Sequence, residues 1–463
     1  MRLRGSTVIH SYGGKDASKA YNEVHAPSLI QKSLESTYHV GVLDITTVNA
    51  EWQKNMEAEN PVSGSDAELS LDSVINLYDF EEHAQQSLPE KAWAIISGAS
   101  NDNITREANL SILRRIWLRP AILRDVGQVN TRTRLFGCDL DLPIYIAPMG
   151  GGKFGGPEGE LAMAQGAAAS GIIHCISTPA SFPHDEILEM TPRHAFFQLY
   201  VNKDRQKSKE AIEQMTKSGK VKAIFVTVDL PVISKREADE RIKPETSGAV
   251  GKPDRRGAGF ARQASSFIDP TFNWDSLRWV RSLTGVPIVV KGIQRAKDAV
   301  LAMRAGCDGI VLSNHGGRAA DTAPPGILTL LELHKNCPEV FGRMEILVDG
   351  GFRRGSDIVK AICLGASAVG IGRPFMYAIK YGSEGIEHAV ESKFWPISRT
   401  NSIKLMSETV IKDEVETAMR LCGMTNLMRD AHPDFVNTGD IDHLVPSFQH
   451  PYARKVTRGV PKL

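Results

Sequence analysis

From about residue 140 onward, apolar positions along the chain fall into two alternating patterns. Short runs with little apolar–polar alternation recur: "LPIYIAPM" (142–149), "IIHCIS" (172–177), "AFFQLY" (195–200), "AIFVTVD" (223–229), "VPIVVK" (286–291), "GIVLSN" (309–314), "EILVDG" (345–350) and "AVGIGR" (368–373). Such runs read as strands covered on both faces, the kind found in a parallel sheet with crossover helices. Between them lie amphipathic stretches. "DRQKSKEAIEQMTKSG" and "RAKDAVLAMRAG" end on Gly219 and Gly306, as a helix closing through a left-handed residue should. Eight strand–helix units predict an α/β fold, a (β/α)8 TIM barrel. A doubly wound open sheet is the rival, but it rarely runs to eight evenly spaced units.

A barrel of this kind carries its active site at the C-terminal strand ends. Here those ends are Pro148-Met149-Gly150, Ser177, Gln198 and Tyr200, Thr227 and Asp229, Lys291, His315, Asp349, and Gly372-Arg373. Nearly all are polar, ionisable or glycine, and a purely structural barrel has no need to gather them on one rim. One connection is abnormal. Between Asp229 and Trp274 the chain is rich in Gly, Lys and Arg and poor in apolar residues, which predicts a mobile lid cut by proteases between Arg241 and Arg262.

Composition narrows the class. With 42% hydrophobic and 24% charged residues, wholesale disorder is excluded. A net charge of +1 gives no reason to expect a nucleic-acid or membrane partner. No apolar run approaches the ~18 residues of a membrane span, and "MRLRGSTVIHSYGGKD" lacks the apolar core of a secretory signal. The six cysteines are scattered without metal-like spacing, so no metal site is expected. Cys175 and Cys363 sit in apolar runs and read as buried thiols of a reducing compartment.

The rim residues suggest chemistry. In barrels the loops after strands seven and eight commonly hold a phosphate. Here they are "DGGFRRGSD" and "GIGRPF", in which glycines let backbone N–H groups approach an anion while Arg353 and Arg373 supply charge. Tight turns and surface arginines would explain either loop alone, but hardly both. Lys291 ends an apolar strand, so its ammonium points into the rim, either to stabilise an anion formed in a reaction or to pair with Asp229 or Asp349. In "GIVLSNHGGRAAD", His315 has the place of a general base that a carboxylate such as Asp229 would orient. Arg318 suits a substrate carboxylate, and the glycines between leave space for the reacting molecule.

"SNHGGR" closely resembles the signature of the FMN-dependent α-hydroxy acid dehydrogenases and oxidases, the glycolate oxidase and flavocytochrome L-lactate dehydrogenase type. "FFQLYVNKDR", "FVTVDLPVISKREAD", "VPIVVKGIQ", "SFIDPTFNW", "VDGGFRRGSDIVKA" and "IGRPFMYA" extend the resemblance over residues 80–430. It implies FMN as cofactor, contacting Met149, Gly150, Ser177, Gln198, Thr227, Lys291 and Ser313, with its ribityl chain on Asp349. The phosphate would rest on Gly351, Arg353, Gly372 and Arg373. His315 would be the base, paired with Asp229, taking either the carbon-bound or the hydroxyl proton. Arg318 and Arg236 would hold the substrate carboxylate, Tyr200 would hydrogen-bond the substrate, and Lys291 would stabilise negative charge on the flavin. The implied reaction is oxidation of a 2-hydroxy acid to a 2-oxo acid.

The chain departs from the family in several places. Ile95 and Ile96 stand where aromatic residues are expected before "SGA", which removes one hydrogen bond to the substrate, worth about 1–3 kcal/mol. Gly150 replaces a common alanine and opens room near the flavin. Together these suggest a bulkier substrate than glycolate or lactate. Residues 1–45 resemble the second half of a cytochrome b5-like domain, but "SYGG" replaces the haem-ligating "HPGG", leaving His10 one position further away and His25 at the other ligand position. A degenerate, partly disordered remnant without haem is therefore expected, about 45 residues being too few for a haem pocket. Residues 46–79 then form a linker, 80–430 the barrel and 431–463 a C-terminal tail. The final "PKL" resembles the peroxisomal address S-K-L, in a basic tail; otherwise the chain reads as cytoplasmic. Loss of a haem acceptor and peroxisomal residence both favour oxygen as electron acceptor. The alternatives are a dehydrogenase with another acceptor, an FMN barrel doing isomerisation, or a degenerate flavin-binding protein. By analogy with the family, a homo-tetramer or octamer is expected.

Overall fold

The computed structural model describes residues 17–34, 36–38, 40–41, 70–242, 267–390 and 410–447. Eight parallel strands close into a barrel in chain order. They are β1 (Ile144–Ile146), β2 (Ile173–Ser177), β3 (Ala195–Leu199), β4 (Val221–Thr227), β5 (Ile288–Ile293), β6 (Gly309–Leu312), β7 (Glu345–Asp349) and β8 (Ala368–Ile371). β8 pairs back onto β1, with Val369 opposite Ile144. All eight expected strands are present, and the barrel class is as the apolar runs indicated. The two expected helices are Arg205–Lys217 and Ala296–Arg304, followed by Gly219 at φ +69° and Gly306 at φ +74°. Among the described residues no helix is long and apolar enough to cross a membrane.

The strand period explains both the barrel's filling and its rim. Side chains two positions apart on a strand point the same way. Cys175, Phe196, Phe225, Val289, Val311 and Leu347 point inward and form one apolar cluster, with Tyr145 and Phe136. The next residues of the same parity toward the C-terminal ends are Ser177, Gln198, Thr227, Lys291, Ser313 and Asp349, all buried and all polar. The site is thus the upper rung of the same inward stripe that fills the barrel. The opposite end is plugged by a hairpin, Thr133–Leu135 and Cys138–Leu140. Its Phe136 ring packs edge-on, 5.7 Å from Phe196 and 6.3 Å from Phe225. Polar contacts at the rim therefore face one way only.

Five helices precede the barrel among the described residues: α1 (Ser18–Asn22), α2 (Pro27–Ser33), α3 (Leu77–Ser87), α4 (Glu90–Ser97) and α5 (Ile104–Leu113). Helix α3 starts in a capping box, Asn76 accepting from the Asp79 N–H while the Asp79 carboxylate accepts from the Asn76 N–H. Helices α3 to α5 pack over the C-terminal face. All six cysteines are buried and free, Cys175 and Cys363 included. The expected lid lies largely on residues 243–266, outside the described residues; before it, Glu237–Arg241 forms a short helix.

Candidate active site

Strand ends β2 to β7 bring the expected polar residues onto one rim in two hydrogen-bonded groups. Ser177 Oγ donates to Gln198 Oε1 (3.1 Å), and Gln198 Nε2 donates to Thr227 Oγ1 (2.9 Å). Lys291 Nζ donates to Ser313 Oγ (2.8 Å) and pairs with Asp349 Oδ2 at 3.2 Å. The ion pair weighed for Lys291 is therefore present, and its partner is Asp349. Burial works against the charge on Lys291, but Asp349 and Asp229 outweigh it and raise its pKa. Lys291 is a fixed, fully buried cation.

Beyond β6 the chain makes one tight turn, His315–Gly317. Asn314 Oδ1 accepts from the Gly317 N–H (3.0 Å), and Ser313 Oγ accepts from the His315 N–H (3.0 Å). His315 itself lies at φ +61°, a left-handed conformation that a non-glycine residue adopts at a cost and that concentrates at functional sites. The turn swings the imidazole onto Asp229, whose Oδ1 lies 2.9 Å from Nδ1. Nε2 faces the Tyr200 hydroxyl at 3.3 Å. The Asp229 side chain is wholly buried and that of His315 is 18% exposed. Burial lowers the pKa of His315, with Asp229 opposing; burial would raise that of Asp229, but His315 and Lys291 hold it down. The resting pair is thus a neutral imidazole on a carboxylate, a base with its other nitrogen occupied. Burial keeps Tyr200 protonated and able to donate.

The arginines are arranged unexpectedly. Arg318 donates to the carbonyls of Ile95 (3.0 Å), Ile96 and Gly98 (3.2 Å) at the C-terminal end of α4. Arg373 reaches the same place, donating to Ile96 O at 3.1 Å and Gly98 O at 3.0 Å. Burial and each cation's neighbours depress both, Arg318 well below its ordinary value and Arg373 to about 10. Among the described residues neither forms an ion pair, and neither does Arg236. Asp239 near Arg236 and Glu81 near Arg373 offset only part of this charge, so three clustered guanidiniums without a direct carboxylate partner form a site short of anions. Arg353 does have one: its guanidinium pairs with Glu81 of α3 at 2.8 Å, between the rings of Tyr78 and Tyr377.

Gly350 and Gly351 lie at φ +94° and +89°, and a Cβ on Gly351 would sit 2.1 Å from the Asn109 carbonyl oxygen, so only glycine fits. Gly372 needs no such freedom and leaves space beside Met149. The room expected at Gly150 is not open: a Cβ there would meet the Pro179 ring and carbonyl at 2.8 Å, because proline fills that space.

Four rim residues hold buried polar atoms without a partner: Asp229 Oδ2, Asp349 Oδ1, Arg236 Nε and Arg353 Nε. Each such orphan costs about 1–3 kcal/mol unless a ligand satisfies it. The Asp349 acceptor and the Arg353 donor suit the hydroxyls and phosphate of a phosphorylated polyol such as the FMN side chain, and the Arg236 donor suits a second anion. A cavity of about 770 Å³ lies outside the barrel behind β5, reaching the site only at Asp229 and lined otherwise by residues such as Phe272, Trp274, Leu328 and Leu444.

The sequence model described as FMN-dependent dehydrogenase matches residues 84–393. The chain belongs to this family. It is an FMN-dependent oxidoreductase on a TIM barrel. An L-lactate dehydrogenase (cytochrome) of Wickerhamomyces anomalus is 37% identical, covering 94% of this chain and 74% of that protein. A peroxisomal (S)-2-hydroxyacid oxidase of Arabidopsis thaliana is also 37% identical, covering 76% and 94%. Among solved structures, a flavocytochrome b2 mutant with pyruvate bound superposes with a TM-score of 0.70 at 36% identity, covering 89% of this chain and 93% of that one.

Two residues at the site were missed by sequence reasoning. Glu81 partners Arg353 and Arg106. Asn109 of α5 exchanges two hydrogen bonds with Asn314 (2.9 and 2.8 Å), and its carbonyl packs on Gly351, tying the base's turn to the glycine loop. The only signal was a polar residue on the apolar face of a short amphipathic stretch.

Proposed function

We propose that the chain oxidises a 2-hydroxy acid to a 2-oxo acid, with His315 as the base. The observation that carries this reading is the His315–Asp229 pair at 2.9 Å beside Arg236 and Arg318, which form no direct ion pair among the described residues. A base next to an anion-deficient cation pair suits a substrate whose carboxylate neighbours the carbon being oxidised. FMN, when bound, accepts the two electrons. Ser177, Gln198, Thr227, Lys291, Ser313 and the backbone at Met149–Gly150 would hold its ring, and Asp349 its ribityl hydroxyls. Gly351, Arg353, Gly372 and Arg373 would hold the phosphate. Lys291 would sit beside the ring as a fixed cation.

The residues act on the substrate in sequence. Arg236 and Arg318 fix its carboxylate, Arg318 exchanging the α4 carbonyls for it. Tyr200 donates to a substrate oxygen and turns the reacting carbon toward His315. Nε2 of His315 takes one proton, and Asp229 stabilises the imidazolium that results.

Ile95, apolar where the family resemblance leads one to expect a hydroxyl, is partly buried and bonded to Arg318 through its carbonyl, which supports a substrate with a larger apolar side chain than glycolate or lactate. Gly150 adds nothing to that argument, since Pro179 fills its space. Oxygen is the proposed acceptor. The test is a steady-state assay of 2-hydroxy acids in air, measuring 2-oxo acid and hydrogen peroxide together. Stoichiometric peroxide supports an oxidase; 2-oxo acid formed only with an added acceptor favours the dehydrogenase. Peroxisomal residence through "PKL" and a homo-oligomer remain part of the proposal, and that tripeptide lies outside the described residues.

A further inference from the structure

The segment ahead of the barrel is attached to it at the edge of the flavin site. The Val24 and Ala26 side chains are buried, 7% and 3% exposed, with Val24 in the main core cluster. The Ala26 N–H donates to Ser181 O at 2.8 Å. Lys153 Nζ donates to the carbonyls of Asn22 and His25, the latter at 3.2 Å. Lys32 pairs with Asp185 (2.7 Å) and Glu186 (3.2 Å), and Ser28 Oγ donates to Glu186 (3.1 Å). The carbonyls of Asn22 and His25 thus face the barrel, while the His25 ring lies 5.2 Å from that of Tyr21.

Lys153 and Ser181 belong to the loops after β1 and β2, and Asp185 and Glu186 to the short helix that follows β2, His184–Glu189. Those loops are cross-tied: the Lys153 N–H donates to Ser181 Oγ (3.3 Å), and the Gly151 N–H to Pro179 O (3.2 Å). Buried Glu160 accepts from both the Gly152 N–H (2.8 Å) and the Ser181 N–H (2.9 Å). A few residues upstream on the same loops lie Met149, Gly150 and Ser177. Thr178 holds the end of β3, its Oγ1 donating to Gln198 O (2.7 Å) and accepting from the Tyr200 N–H (3.0 Å).

We propose that residues 17–34 form an intramolecular strap that fixes the loops after β1 and β2 in the geometry that binds FMN. The inference rests on the assignment of Met149, Gly150 and Ser177 to that cofactor. A segment that resembles a haem module would thereby serve the neighbouring flavin as a positioning element. The half-exposed Lys32 pairs contribute little as attraction, although a carboxylate in that place would face both Asp185 and Glu186 and push the strap away; the buried Val24 and Ala26 contribute most.

The test uses the full-length chain, stripped of FMN and titrated with it. Val24→Asp detaches the strap, read as faster proteolysis within residues 17–34. It is expected to raise the FMN Kd at least tenfold while kcat at saturating FMN stays within twofold. Lys32→Glu should raise Kd a few-fold, and adding Asp185→Lys in the same chain should restore it; this pair decides if the Val24 variant does not fold. An FMN Kd within twofold of the wild type in every folded variant overturns the strap. Failure of the wild-type chain itself to take up FMN would instead defeat the cofactor assignment.

Discussion

Replacing Asp229 with Asn removes one buried charge and little volume, and its two consequences have defined signs. In the resting protein Asp229 raises the pKa of His315 against the effect of burial, which leaves it below the ordinary 6.5. Without the carboxylate the imidazole loses that support, so its pKa falls further. The acidic limb of kcat/KM should then move to lower pH. The rate consequence is opposite in sense and larger. During reaction His315 becomes a cation, and the 2.9 Å bond to Asp229 becomes a charge-assisted hydrogen bond in a site with no solvent on Asp229. Such bonds contribute about 1.5–3 kcal/mol, so kcat should fall roughly 10- to 150-fold at the pH optimum. Substrate KM should change much less, because the carboxylate is held elsewhere. The assay is anaerobic stopped-flow mixing with substrate, following loss of flavin absorbance across the acid and neutral range. A kcat within twofold of the wild type, or an acidic limb that moves upward, would refute the pairing as the source of basicity.

Other substitutions separate the remaining roles. His315→Gln should slow flavin reduction roughly 100- to 10,000-fold with FMN still bound; rapid-mixing kinetics on the reconstituted variant check it. Arg236→Gln removes a cation that forms no direct ion pair among the described residues, and should raise substrate KM roughly 10- to 150-fold. Ile95→Tyr supplies a hydroxyl beside the Arg318 carbonyl cluster and should lower KM for small 2-hydroxy acids by about tenfold. An unchanged preference for large over small acids in that variant would remove Ile95 from the specificity argument.

The barrel was legible in the sequence because strands buried on both faces must be continuously apolar, and because the inward stripe changes character at the rim. Ser177, Gln198, Thr227, Lys291, Ser313 and Asp349 could be picked out as the polar ends of apolar runs. His315 and Arg318 were marked by the glycines between them. What stayed hidden was the partner of each group. Glu81 meets Arg353 across 272 residues, and Asn109 meets Asn314 across 205, so no local pattern announces either. The carbonyls that hold Arg318 and Arg373 are backbone atoms at a helix end, which every helix possesses. Gly150 misled for a related reason: absence of a side chain does not mean space, and Pro179 had already filled it. The docking of Val24 and Ala26 depends on a surface built by loops more than a hundred residues later.

The central claim is that this rim removes two electrons from a 2-hydroxy acid. The most direct measurement is anaerobic addition of a panel of such acids, small, branched and aromatic, to the FMN-loaded protein. The account predicts that at least one acid bleaches the visible flavin band and yields its 2-oxo acid in equal amount, favouring the bulkier members, and that His315→Gln abolishes the fast phase. Protein that binds FMN stoichiometrically yet is bleached by none of them would contradict it.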